Sequence, residues 1–423
     1  MMPPLDIRRL DEAHLWHPYT QHGAGGPALP IVRAHGAYLV DDTGREIFDA
    51  ISSWWVTLHG HAHPAIAAAI SAQAGRLEQV IFAGFTHEGA AQLSAELARI
   101  APRGLSRVFF SDYGSTAVEV AVKMALQYWS NAGAPRRRVI ALTHAYHGDT
   151  FGAMSVSARG VFTASFEPLL FDVVRLGDPQ ETDVGAELAR VVETGGADVA
   201  AVIVEPMLLG AGGMRVWTAD ALAHIRSVTA TEGILLIADE VLTGFGRTGP
   251  LFACEHAGIA PDIMCLSKGL TGGFLPMGAT LATDAVFERF RSRDRNQTFF
   301  HGHSYTANPL ACAAALASIA LLDDRCARRR DAIAAAHRAA AARLGAHPRV
   351  TRARQLGTMF AFEIGGSGDY LDPVGLRLRD FALARGVLLR PLGNTVYLLP
   401  PYCTTPDDLD RAYGVIESFL DSP

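Results

Sequence analysis

Five short apolar runs limit most strongly what this chain can fold into: RVFFSD (107–112), RVIALTH (138–144), AAVIVEP (200–206), ILLIADE (234–240) and DIMCLSK (262–268). A strand that is apolar along its length has no face to give to water, so it must sit in a sheet covered on both sides. Helix-period segments separate the runs, among them STAVEVAVKMALQYW (115–129) and TADALAHIRSVTATEG (218–233). That alternation predicts an α/β fold around a mostly parallel sheet. Such sheets gather functional groups at the carboxyl ends of their strands. Each run here closes on a polar or charged residue: Asp112, His144, Glu205, Asp239 and Lys268.

Beyond about residue 305 the texture changes. An Ala/Arg-rich stretch predicts one or two helices of high intrinsic propensity. The strand-like pieces TMFAFEI, GVLLRP and TVYLLPP follow, with the helix RLRDFALARG among them. The expected plan is a large domain over 61–305 carrying the sheet and a small α+β domain over 306–423. Residues 1–60, where GAYLVDDTGREIFDA reads as a hairpin, are expected to pack with the small domain. A chain of 423 residues, 49% hydrophobic, has ample material for these cores. Its net charge of −6, with no long basic block, argues against nucleic acid as a partner. Five cysteines without CxxC spacing suit a reducing compartment. No apolar stretch reaches the ~18 residues of a bilayer span, so the expectation is a cytoplasmic protein with no membrane partner.

The stretch CLSKGLTGG (265–273) sets a lysine at a strand end, directly before glycines. A phosphate-binding Walker loop fails here, because Ser267 precedes the lysine and Gly269 and Leu270 follow it. GFGRTG (244–249) is only a weak match to a dinucleotide fingerprint. The other reading makes Lys268 a Schiff-base amine, because a desolvated strand-end position lowers the lysine pKa and frees the nucleophile. A pyridoxal-type cofactor also needs a carboxylate for its ring nitrogen, and Asp239 closes ILLIAD. Its phosphate needs a helix N-terminus. DYGSTAVEVAVKMA supplies one, with Gly114 for close approach, hydroxyls on Ser115 and Thr116, and a helix expected from Ala117. Tyr146 in THAYHGDT offers a stacking face. Taken singly, each has a plainer reading as a paired core acid, a helix cap or a packed aromatic. Their placement at successive strand ends is what joins them.

The segment LLIADEVLTGFGRTGPLFACEHAGIAPDIMCLSKGLTGG (235–273) resembles the class III aminotransferases of pyridoxal-phosphate fold type I. Within that class, HLWHPYT (14–20), SSWW (52–55), ALQYW (125–129), AYHGDTFGAMSV (145–156), GAGGMR (210–215) and NPLACAAA (308–315) are similar to the biotin-pathway branch. That branch aminates 8-amino-7-oxononanoate to 7,8-diaminononanoate. The resemblance implies a pyridoxal 5'-phosphate enzyme, a homodimer with shared active sites, and Lys268 as the cofactor lysine. It implies Asp239 at the pyridine nitrogen, Gly114 and Ser115 on the phosphate, and Tyr146 stacked on the ring. Gly302, His303 and Ser304 would reach the neighbouring subunit's phosphate. Tyr19, Trp54, Tyr146, Gly302 and Arg390 would line the substrate pocket, with Tyr19 also catalytic and Arg390 pairing with the substrate carboxylate. Glu205, Asp149 and Arg247 would support the site.

S-adenosylmethionine is the first expectation for the amino donor, and SSWW is similar to enzymes that use it. GHSY (302–305), with TGGFLP (271–276), instead resembles forms that use lysine. SARGVFTASFEP (157–168) also departs from the adenosylmethionine users, so both donors stay open. A different ω-aminotransferase, acting on a polyamine, β-amino acid or ω-amino acid, is the alternative. Tyr113 stands where the class usually has serine, and its bulk must point away from the phosphate glycine or reshape the rim. The string HGHAHP (59–64) lacks adjoining Cys or acidic ligands and reads as structure, not as a metal site.

Overall fold

The computed structural model describes residues 6–24, 26–365 and 370–422. At its centre lies a seven-stranded sheet. Across it the order is Leu105–Ser111, Gly278–Thr283, Ile263–Leu266, Leu235–Asp239, Val199–Val204, Arg138–Leu142 and Val174–Leu176. Gly278–Thr283 runs antiparallel to both neighbours, and the other pairs are parallel. All five apolar runs enter this sheet, so the expected α/β architecture is the observed one. Two strands escaped the sequence reading. GATLAT is built from small residues with a weak strand signal, and Val174–Leu176 is only three residues long.

Strand Val199–Val204 is buried along its whole length, which explains its unbroken apolar character. Ala201 and Ile203 pack with Ala117, Val118 and Ala121 of helix Gly114–Asn131. Val202 and Val204 join Leu188, Leu222 and Ile225 on the opposite face. Each valine buried this way contributes roughly 1.5–3 kcal/mol.

The helix starts earlier than expected. Gly114, Ser115 and Thr116 already lie inside Gly114–Asn131, and extended Tyr113 precedes them. The Thr116 hydroxyl accepts from the Tyr113 amide at 3.1 Å and lies 2.8 Å from Asp112 Oδ1, which folds the first turn back on itself. The first-turn N–H groups therefore belong to Gly114–Thr116, and the Thr116 hydroxyl is engaged locally.

Strands Ile31–His35, Tyr38–Asp41 and Glu46–Asp49 form an antiparallel meander. Glu46–Asp49 also pairs in parallel with Val387–Leu388. The GVLLRP segment thus joins the N-terminal strands, while Val350–Leu356, Met359–Ile364 and Thr395–Leu398 make a separate sheet. SSWW and Arg390 consequently leave neighbouring parallel strands at the same end. The Ala/Arg-rich stretch forms two helices, Pro309–Ala320 and Asp324–Gly345. No helix among the described residues is long and apolar enough to cross a membrane.

Candidate active site

A cavity of about 520 Å³ opens at the carboxyl ends of the central strands. Lys268, Asp239, Tyr19, Gly114, Ser115, Tyr146, Trp54 and Arg390 all line it. Lys268 follows strand Ile263–Leu266 and holds φ 41°. For a side chain with a Cβ this left-handed conformation costs about 1–3 kcal/mol. Gly272 and Gly273, at φ 64° and 88°, complete the reversal, and a Cβ on Gly273 would meet Thr57 Oγ1 at 3.0 Å. Lys268 Nζ lies 4.7 Å from the centre of the Trp55 ring. Burial lowers the lysine pKa, with Asp239 and Glu205 acting in the opposite sense. More of the amine is therefore neutral than in water, as a nucleophile requires.

Asp239 ends its strand with one oxygen 2.7 Å from His147 Nδ1 and the other accepting from the Val241 amide at 3.1 Å. Both side chains are shielded from solvent. The other ring nitrogen, His147 Nε2, is buried with no hydrogen-bond partner among the described residues. Glu205 accepts from the amides of Tyr146 and Gly210, each at 2.9 Å. Burial pushes its carboxyl up from the ordinary 4.5 to about 7.

At the mouth, the Tyr19 and Tyr146 hydroxyls both donate to Asp149, the latter at 2.9 Å, and lie 3.3 Å apart. Burial, then the Asp149 contact, raises the Tyr19 pKa; burial, then the Tyr19 contact, raises that of Tyr146. Phe162 packs edge-on against both rings and against Tyr370, with centroid separations of 5.8, 6.1 and 4.6 Å. The Arg390 guanidinium lies 4.5 Å from the Trp54 ring centre. Ser115 Oγ accepts from the Thr150 amide at 2.9 Å. Tyr113 is 44% exposed and lines the cavity, so its phenol forms part of the rim.

Arg247, expected to support the site, bonds backbone and no carboxylate among the described residues. Its guanidinium donates to the carbonyls of Pro400 and Trp55, at 2.9 and 3.2 Å, and so orients the backbone. Gly302, His303 and Ser304 do not line this chain's cavity. They lie on a loop joined to the 78–79 segment through Gln79 Nε2 and Ser304 O at 2.8 Å. In HGHAHP, His59 lies 3.2 Å from Ser318 Oγ, His61 pairs with Asp49 and His63 precedes helix Pro64–Ala74.

Residues 19–420 match the family model described as Aminotransferase class-III. The chain belongs to the class III aminotransferases. A Synechococcus elongatus protein named adenosylmethionine-8-amino-7-oxononanoate aminotransferase is 54% identical over 422 residues, covering 96% of this chain and 98% of that protein. A Mycobacterium leprae protein of the same name is 41% identical, over 96% and 95% of the two chains. The crystal structure of the Methanocaldococcus jannaschii protein of that name superposes with a TM-score of 0.93 at 33% identity, covering 97% and 98%. An amine transaminase from an uncultivated Pseudomonas species, solved in its PLP-bound form, gives 0.88 at 33% identity, covering 96% and 98%.

Sequence reasoning passed over two groups in this class III aminotransferase. His147 adjoins Tyr146 in AYHGDT, and a histidine next to a strand-end aromatic was the available signal. Phe162 carries no local pattern that marks it. Glu205 gives the fold a pH dependence. Its folded pKa lies above its unfolded one, so the folded chain binds more protons between those values. Stability then falls as pH rises from about 4.5 to 7, by about 3 kcal/mol. Glu205→Gln is expected to flatten that slope, read as a smaller shift in urea midpoint between about pH 5 and pH 8.

Proposed function

We propose that this chain transfers an amino group to 8-amino-7-oxononanoate, giving 7,8-diaminononanoate in biotin biosynthesis, with pyridoxal 5'-phosphate as cofactor and S-adenosylmethionine as donor. The observation that carries the reading is Arg390, stacked on Trp54 in the same cavity as the Lys268 amine. A guanidinium recognises a carboxylate in a forked geometry. Trp54, Tyr19 and Phe162 offer apolar surface for methylenes between carboxylate and reacting carbon. The names of the relatives support the same substrate.

The residues present fit pyridoxal phosphate. Gly114 and Ser115, opening a helix at the cavity, would hold its phosphate through first-turn N–H groups. A Cβ on Gly148 would fall 2.3 Å from Ser115 Oγ, so that glycine keeps the phosphate corner open. Asp239 would face the ring nitrogen, with His147 fixing the carboxylate from behind. When bound, the cofactor supplies an aldehyde and an electron-withdrawing ring. Lys268 Nζ, kept partly neutral by burial, is the base that takes a proton from the substrate carbon and returns it. Tyr19, Tyr146 and Asp149 orient the reacting end, while Phe162 and Tyr370 exclude water.

The reading includes a homodimer and a cytoplasmic location. Phe300 and Tyr305 flank Gly302, His303 and Ser304, and Ile81 and Phe85 follow the Gln79 segment bonded to that loop; each is more than 60% exposed. Apolar surface so placed suits a second copy of the chain, whose phosphate site this loop would complete. The five free cysteines, four of them buried, suit a reducing compartment.

The test incubates the purified, cofactor-loaded protein with 8-amino-7-oxononanoate and either S-adenosylmethionine or lysine. Diamine formed with adenosylmethionine alone supports the full reading. Diamine with lysine alone moves the donor, in keeping with GHSY, and no diamine with either overturns the assignment. Arg390→Ala is expected to raise KM for the keto acid about 10–100-fold with a smaller change in kcat, as loss of a charge-assisted hydrogen bond predicts.

A further inference from the structure

We propose that Asp49 is a positioning residue, a buried node that sets Trp54 and Arg390 against each other and so shapes the carboxylate end of the substrate pocket. The inference rests on the assignment of Arg390 to the substrate carboxylate. SSWW is wound unusually, with Ser52, Ser53 and Trp55 at φ 53°, 58° and 68°. Ser53, with ψ −76°, lies close to the γ-turn geometry that side chains rarely adopt. A conformation of this kind persists only where its surroundings enforce it.

Asp49 provides that enforcement. It is fully buried, and its Oδ2 accepts from the Ser53 amide at 2.6 Å, the Ser53 hydroxyl at 3.0 Å and His61 Nε2 at 2.8 Å. Oδ1 accepts from the Ile51 amide at 3.2 Å. The same residue pairs with Leu388 in the parallel ladder, two positions before Arg390. Asp49 thus holds the Trp54 loop through its carboxylate and stands opposite Leu388 in the ladder, where the neighbouring Phe48 amide donates to Gly386 O at 2.9 Å. Trp55 is anchored separately, by its indole N–H on Tyr397 and its carbonyl on Arg247. Among the described residues Trp54 makes no side-chain hydrogen bond; its ring meets only Tyr19, edge-on at 5.4 Å, and Arg390, so its placement follows the Ser53 backbone. Loosening Asp49 therefore disturbs the Trp54–Arg390 wall while leaving Trp55 beside Lys268.

The test is steady-state kinetics of the full, cofactor-loaded protein with the keto acid varied, alongside near-UV circular dichroism and cofactor absorbance. Asp49→Ala is expected to raise KM about tenfold or more while kcat changes less than about threefold, since only substrate binding is weakened. Cofactor absorbance stays as in the wild type, and the tryptophan dichroism changes. Asp49→Asn, which keeps an oxygen for Ser53, recovers part of the loss. Ser53→Ala, removing only one of the bonds, raises KM by about threefold. Should Asp49→Ala fail to fold, Ser53→Ala and His61→Asn decide on the same readouts. A KM equal to the wild type in the folded variants, or a loss confined to thermal stability, overturns the proposal. Arg390→Ala separates the two levels. Raised KM there with none in the Asp49 and Ser53 variants overturns the positioning role alone, whereas unchanged KM in Arg390→Ala overturns the underlying assignment.

Discussion

Lys268→Ala is expected to abolish turnover, lowering the rate by about 10⁴-fold or more, equivalent to roughly 5.5 kcal/mol of barrier. Among the described residues the cavity offers no second amine: its other polar side chains are phenols, hydroxyls, indoles, carboxylates, His147 and an arginine. Arginine remains protonated and cannot replace a neutral lysine as nucleophile. The lysine's raised nucleophilicity comes from burial at a strand end, so a basic residue elsewhere on the surface cannot substitute for it. Single-turnover assays of the folded variant, with and without added cofactor, measure the effect. Residual activity above about 1% of the wild type contradicts Lys268 as the proton carrier.

Asp239→Asn is expected to lower kcat by about 10²–10³-fold, the size seen when one preorganised electrostatic group is removed from an active site. The carboxylate is shielded from water and meets His147 at 2.7 Å, so its charge acts in a medium of low polarity. The amide keeps the shape, loses the charge and presents an N–H towards either His147 or the Val241 amide. KM for the keto acid should stay within about threefold, because Asp239 does not touch the substrate tail. That pattern is the reverse of the one expected for Arg390→Ala, and measuring both variants in one assay distinguishes cofactor electronics from carboxylate recognition. A rise in KM with kcat intact for Asp239→Asn contradicts this division.

Much of the site was legible because strand ends are local features. Lys268 and Asp239 each close an apolar run, and Gly114–Ser115 stand where a run gives way to a helix, so periodicity alone locates them. The reading slipped where local signals compete. The helix was expected from Ala117, with Ser115 and Thr116 ahead of it as hydroxyls, yet the Thr116 side chain ties back to residues 112 and 113 and the helix starts at Gly114. Arg247 was expected only to support the site, and its partners, two backbone carbonyls distant in the chain, carry no sequence signal.

The sequence by itself determined the layered α/β plan and the chemical groups at its strand ends, because burial on both faces and helical periodicity are written into consecutive residues. The tertiary structure alone decided which groups meet. His147 and Asp239 are 92 residues apart, yet they share a buried contact. Trp54 and Arg390 touch because strands Glu46–Asp49 and Val387–Leu388 lie side by side in the same direction. The left-handed turns at Ser53 and Lys268 belong to the same category. No residue preference predicts them, since the energy that holds them comes from partners distant in the chain.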